Sequence, residues 1–291
     1  MTPTDPTDAR STAGAAEETA LPPVVARLWG RGTPPRRGPK PALSIEQVVR
    51  AAVDLADAEG LPAVSMARVA ESLGYSSMAL YRYVESKDEL LALMADAAAD
   101  VLEMPAHDEA DWRAGLAAWT RAQIQGVLAR PWYLDLPLTT AQVGPHRLRW
   151  IDRAFAILAP LDLTVDEKLQ IVGLLAQHVL GEGRVQVETR RAAAEAVRAA
   201  QGLPSDTPEA DLDEGAIAAA NPYADYELVL TRLADPQTYP ALTGALAAWT
   251  PSTPRPDDWE SDIGFGLDIL LDGIESFVAK RSAARRSAGD G

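Results

Sequence analysis

Residues 65–83 read SMARVAESLGYSSMALYRY, and their side chains include the kinds that meet a base edge. If residues 78–84 form a helix, Leu80 and Val84 point inward at i and i+4. Ser77, Met78, Tyr81 and Arg82 are then left on the outer face. A hydroxyl can donate to or accept from a base, and a thioether or an aromatic ring can cover a thymine methyl group. A guanidinium can hold a phosphate. Other chemistry is poorly supplied. There is no cysteine, which excludes thiolate nucleophiles, disulfides and thiolate metal sites. The three histidines, His107, His146 and His178, match no metal motif by spacing, so no metal and no cofactor are expected. No GxSxG, HExxH or Walker sequence occurs, which argues against an enzyme. The Gly181-Glu182-Gly183 and Gly264-Phe265-Gly266 pairs lie in helical patterns with no strand before them and read as close-packing sites.

Two short helices meeting at a glycine would position that outer face. Ser65 is a good N-cap, because its hydroxyl can accept from a free backbone N–H further on. Val69, Ala70 and Leu73 give an apolar stripe, and Gly74 follows where a left-handed backbone costs glycine nothing. Ser76 or Ser77 can cap the second helix. Ahead lies a helix over residues 44–59, with Ile45, Val48, Val49, Ala52, Val53, Leu55 and Ala56 facing a core and Gly60 ending it. Behind, a helix capped by Ser86 carries Asp88 and Glu89 near its positive end and runs to about residue 102. A short helix, a glycine-containing turn and a second short helix make a helix-turn-helix, whose second helix enters a major groove.

Residues 43–99 resemble the DNA-binding domain of the TetR family of transcriptional regulators. The matching features are Ala58-Glu59-Gly60, Val69-Ala70-x-x-Leu73-Gly74, Leu80-Tyr81-Arg82-Tyr83 and Ser86-Lys87-Asp88-Glu89-Leu90. The resemblance implies that Ser77, Met78 and, one turn later, Tyr81 reach base edges. It places Arg82, Tyr83 and Lys87 on phosphates, with Ser65 and Arg68 adding backbone contacts. Ala67 stands where the founding member of the family has a base-reading arginine, so the operator should differ. Tyr83 could equally be half core, and Lys87 could pair with a surface acid. The resemblance also implies that the 87–102 helix links the head to a ligand-binding body.

Net charge is −15, yet its distribution suits a DNA binder better than its sum. Residues 27–90 carry nine bases and eight acids, whereas residues 91–291 carry 17 bases and 30 acids. Residues 1–22 are rich in Thr, Ala, Asp and Pro and read as a disordered leader. Residues 23–42 read as a basic arm or linker in which Arg36, Arg37 and Lys40 are candidates for the minor groove. The apolar patch Val24, Val25, Leu28, Trp29 inside it has no firm assignment beyond a short helix that packs on the body. The first twenty residues have no apolar run or basic start of the signal-peptide kind, and no stretch of 18 apolar residues exists. A cytoplasmic protein with no membrane span is expected.

The expected fold is all-α, with a three-helix head over residues 43–103 and a helical ligand-binding and dimerisation domain over 104–283. Helices are expected over 109–129, from Pro145 to about Pro160, and from about 165 past 188. Residues 189–221 turn acidic and proline-broken and read as a partly disordered insertion, and 284–291 as a disordered tail. A pocket between helices would be apolar with a few polar anchors. Its candidate lining is Trp112, Trp119, Trp132, Tyr133, Trp150, Gln177 and His178, although each aromatic could be plain core and His178 a satisfied core histidine. The effector would be small and mostly apolar or aromatic.

From residue 259 to about 280 the last helix is apolar over so much of its circumference that it needs partners on two sides. Its IGFGLDILLDGIESF run resembles the final helix of the subgroup related to the tetracycline repressor. There the last helix and the 165–188 helix pair with their twofold mates. This implies a homodimer held through Leu175, Val179, Ile263, Leu267, Leu270, Leu271 and Ile274, presenting two recognition helices to palindromic double-stranded DNA. The competing expectation is a helical scaffold that binds protein partners through the acidic insertion.

Overall fold

Described in the computed structural model are residues 21–30, 43–100, 102–106, 108, 110–137, 144–222, 226–247 and 258–289. Among them the regular elements are all helical. The arm candidates Arg36, Arg37 and Lys40 lie outside the described residues, as do His107 and nearly all of the leader.

The head is built by α1 (Pro23–Leu28), α2 (Ile45–Glu59), α3 (Met66–Ser72), α4 (Ser77–Leu80) and α5 (Lys87–Asp100). Local signals set their ends. Ser44 accepts from the Gln47 N–H at 3.2 Å while the Gln47 side chain accepts from the Ser44 N–H at 2.8 Å, which closes a capping box. Ser65 accepts from the Arg68 N–H at 3.2 Å, and Ser86 from the Glu89 N–H at 3.1 Å. Gly74 has φ +75°, the left-handed turn that joins α3 to α4. Val48, Val69, Leu80, Val84, Leu90 and Met94 share one core that fixes the angle between these helices.

Two expectations for this region are corrected. Residues 23–42 are not all linker, because α1 packs on the head. Leu28 joins the head core, and Arg27 donates to the Tyr83 carbonyl at 3.0 Å. Arg27 also pairs with Glu85, and with Glu89 at 2.5 Å. The second short helix is not 78–84 but Ser77–Leu80, after which the chain tightens. The Arg82 N–H bonds the Ala79 carbonyl and the Tyr83 N–H bonds the Leu80 carbonyl, three residues back.

The body comprises α6 (Trp112–Ala129), α7 (Pro145–Ile157), α8 (Val165–Gln201), α9 (Glu214–Ala219), α10 (Tyr226–Leu233), α11 (Pro240–Leu246) and α12 (Asp258–Gly289). Its core gathers Leu116, Trp119, Trp150, Ile157, Leu175, Leu267 and Leu271 from four of these helices. Gly183 lets α8 approach α6, since a Cβ there would come within 2.6 Å of Val127 Cγ1. Gly266 likewise meets His178 on α8, with 3.3 Å left for a Cβ. Gly181 and Gly264, by contrast, face open space and are not packed on another described part of the chain.

The acidic segment is structured where it is described. α8 continues unbroken to Gln201, and Gly202 caps it at φ +66°. The chain then folds back so that Leu212 and Ile217 bury against Ala193, Ala194 and Val197. Arg190 ties the return by ion pairs to Glu209 and Glu214. The tail also departs from expectation, because α12 runs on to Gly289. No helix among the described residues is long and apolar enough to cross a membrane.

Candidate nucleic-acid interface and effector cavity

The start of α4 and the turn after it form one exposed surface. Met78 is 74% exposed and Tyr81 46% exposed, far more than apolar groups with core partners would be. Ser77 is half-buried beside them, and Arg82 and Lys87 are exposed. Neither Arg82 nor Lys87 has a carboxylate partner among the described residues. Tyr83 is half-buried against the head core, so its side chain is partly structural. Arg68 is committed elsewhere. It donates to both Glu59 oxygens, at 2.9 and 2.7 Å, and these bonds hold the Glu59 carboxyl below its usual pKa. Ser65 is spent on its cap. Ser77, Met78, Tyr81 and Arg82 thus lie on one short stretch of chain, with Lys87 exposed at the start of α5, while Ser65 and Arg68 are turned to internal bonds.

Between the head and the body lies a cavity of about 90 Å³. Its walls come from α5, α6, α7 and α8 and the turn after α6. Of the sequence candidates, Tyr133 and Trp150 line it. The other five sequence candidates do not. Trp119 is buried in the body core, where its indole N–H bonds the Trp150 carbonyl at 2.8 Å. Trp112 packs on the same core. Trp132 joins the head core and donates to Asp57 at 2.5 Å. Gln177 is exposed on the outer face of α8. His178 is wedged against Gly266, and its Nε2 has no hydrogen-bond partner. The polar lining is instead Gln123, Arg130 and Arg147. Gln123 alone left a trace in the sequence, on the same face of its helix as Trp112, Leu116 and Trp119.

Helix α5 serves both places. Leu90 and Met94 sit in the head core, while Ala98 and Ala99 line the cavity. Asp96, buried on α5, accepts the N–H groups of His146 at 3.3 Å and Arg147 at 3.0 Å and so caps α7 from outside. A Cβ on Gly144 would overlap that carboxyl, so the approach requires glycine. The Trp150 indole N–H adds a bond to the Ala99 carbonyl at 3.1 Å. Arg130 spans from the cavity to the head, its Nε 3.2 Å from both Asp57 oxygens.

The expected dimer residues are corrected too. Leu175, Val179, Ile263, Leu267, Leu271 and Ile274 are buried within the chain itself, and Leu270 is half-buried. The six buried ones hold α8 and α12 to α6 and α7, and Leu270 is not among those corrected. The outward face carries other groups: Phe265, 71% exposed, and Ile269 on α12, with Leu174 and Val185 on α8. Gly181 and Gly273 leave open space near them.

Residues 48–94 match the family model described as "Bacterial regulatory proteins, tetR family", and residues 104–278 match "Tetracyclin repressor-like, C-terminal domain". The chain belongs to the TetR family. Two TetR-family matches thus meet between α5 and α6, where the cavity lies. Among curated TetR-like relatives, the HTH-type transcriptional repressor DrrR1 of Streptomyces coeruleorubidus is 34% identical over 255 residues, spanning 87% of this chain and 85% of that one. An HTH-type transcriptional regulator of Saccharopolyspora erythraea is 30% identical over 49% of this chain and 60% of its own length. Among solved structures, the Streptomyces coelicolor TetR family protein ActR in complex with actinorhodin shares the fold. Its TM-score is 0.61 at 21% identity, with 81% of this chain and 98% of that one covered.

Proposed function

We propose that the chain is a cytoplasmic, homodimeric repressor that binds a palindromic operator and is released by a small, mostly apolar or aromatic effector. The observation that carries this is the exposed pair Met78 and Tyr81 beside two cations without carboxylate partners, Arg82 and Lys87. Apolar groups at base edges flanked by phosphate-binding cations are what sequence-selective contact to a groove requires. That DrrR1 is a transcriptional repressor supports negative control.

Two copies are supported by the outward α8–α12 face. Phe265, Ile269, Leu174 and Val185 are apolar, exposed and interrupted by glycines that would let a second pair of helices approach. Release is supported by the double role of α5. An effector that shifts its cavity wall must also move the head packed on the same helix. To empty the operator, it must favour the released state by about 5 kcal/mol.

Sedimentation of the protein with and without an operator duplex tests this reading. Two chains alone and two per duplex are expected. Phe265→Asp with Ile269→Asp should give a folded monomer that no longer holds the duplex. A wild-type monomer, or one chain per duplex, would contradict it.

A further inference from the structure

The cavity is walled mostly by apolar groups, Trp150, Leu102, Val179 and Leu180 among them, but its polar groups are of one kind. Arg130 and Arg147 both face it. Arg147 is half-buried and has no carboxylate partner among the described residues; its side chain reaches only the Tyr133 hydroxyl, at 3.4 Å. Asp96 is occupied by the backbone N–H groups of His146 and Arg147 at the start of α7. Arg130 spends Nε and Nη2 on Asp57, and its Nη1 is buried without a hydrogen-bond partner among the described residues. Two guanidinium groups facing one apolar cavity repel each other and leave donors unused. Asp57 offsets Arg130, so Arg147 is the charge at the cavity left without a carboxylate among the described residues, in a chain whose net charge is −15. A bound oxyanion would satisfy both groups, and Arg is the side chain best shaped to hold a carboxylate.

Resting on the effector-release reading, we propose that the effector is an acid: a compact apolar or aromatic body carrying one carboxylate, held by Arg147 and by Arg130 Nη1. The apolar body packs on Trp150 and Leu180, and the Tyr133 hydroxyl and Gln123 supply the remaining polar contacts. A cationic effector is disfavoured by the same two arginines. The acid also has a direct route to the head. Its carboxylate competes with Asp57 for Arg130, and Asp57 belongs to α2 of the head, where it also accepts from Trp132. Drawing Arg130 toward the ligand weakens one of the side-chain ties between head and body.

The test is calorimetric titration of the full chain with matched pairs: 1-naphthoate and 1-naphthamide, 2-naphthoate and 2-naphthamide, anthraquinone-2-carboxylate and its carboxamide. Each pair differs little except in charge. At least one acid should bind about tenfold or more tightly than its amide, the scale of one hydrogen bond to a charged group. Arg147→Gln, which gives up only one weak bond in the free protein, should remove that preference. Amides that bind as well as their acids would overturn the proposal while leaving a neutral effector, and the release reading, in place. A preference for the acid that survives in Arg147→Gln would overturn the assignment to this cavity. Binding by none of the six, with operator binding intact, would overturn both the acid and the cavity as the effector site. The acid-to-amide comparison in the wild-type chain decides the matter even if the variant folds poorly.

Discussion

The Asp96 carboxylate accepts the Arg147 N–H at 3.0 Å, and through that bond the helix that carries the head caps a helix of the body. Asp96→Ala should leave the first N–H groups of α7 without a partner in a closed site. A loss of about 1–3 kcal/mol is expected in urea unfolding. Asp96→Asn keeps an acceptor and should lose less. Equal stability of Asp96→Ala and wild type would show that water replaces the bond.

Arg27 faces Glu89, a carboxylate only 7% exposed, and fixes the carbonyl of Tyr83 beside the exposed Met78–Tyr81 surface. Removing the cation leaves a buried charge unmatched. Arg27→Ala should cost about 3 kcal/mol, the lower end for breaking a buried pair. Glu89→Gln in that background should restore part of it. Thermal melts of the two variants decide, and a surface-like loss under about 0.5 kcal/mol would mean that α1 does not clasp the head.

Tyr81→Ala should weaken binding to the selected operator by about 1–3 kcal/mol while leaving random-sequence binding almost unchanged. Lys87→Ala should weaken both and lower the salt dependence by about one ion. Fluorescence anisotropy across a salt series separates the two. Equal losses of Tyr81→Ala on both DNAs would remove it from base contact.

The folded-back segment offers a pH test. The hydrogen bond from Arg190 holds the Glu214 carboxyl below its ordinary pKa. Its stabilising effect is therefore full above the unfolded value of about 4.3 and fades as pH falls through the lower folded value. Protection of the α9 amides, taken relative to intrinsic exchange at each pH, should fall from pH 5 to pH 3 in the wild type, and Arg190→Gln should show lower protection already at pH 7. Identical protection in both chains would leave Leu212 and Ile217 as the sole anchors.

Much of the head was legible because its signals are local. Ser65, Gly74 and Ser86 act within a few residues of themselves, and the stripes of α2 and α5 point to one core. The chain after α4 also meets a partner from far away, because Arg27, more than fifty residues upstream, holds the Tyr83 carbonyl. Periodicity also showed that α12 is apolar on two sides. It could not say which side the chain covers itself, and Phe265 and Ile269, which only widened the stripe, are the groups left outside. The cavity was the least legible. Arg130 lies beyond the end of α6 and Arg147 in a helix of mixed charge, and only the packing of four helices brings them together. His178, set in an apolar helix, could be read as a core histidine or as a ligand donor; Gly266 on α12 makes the gap it fills.

Selection of duplexes from a random pool, with the purified chain at moderate salt, tests most directly whether this is a dimeric operator-binding regulator. Enrichment of a palindrome with half-sites about one to one and a half turns apart is expected. Weak, salt-sensitive binding with no enriched sequence would contradict it.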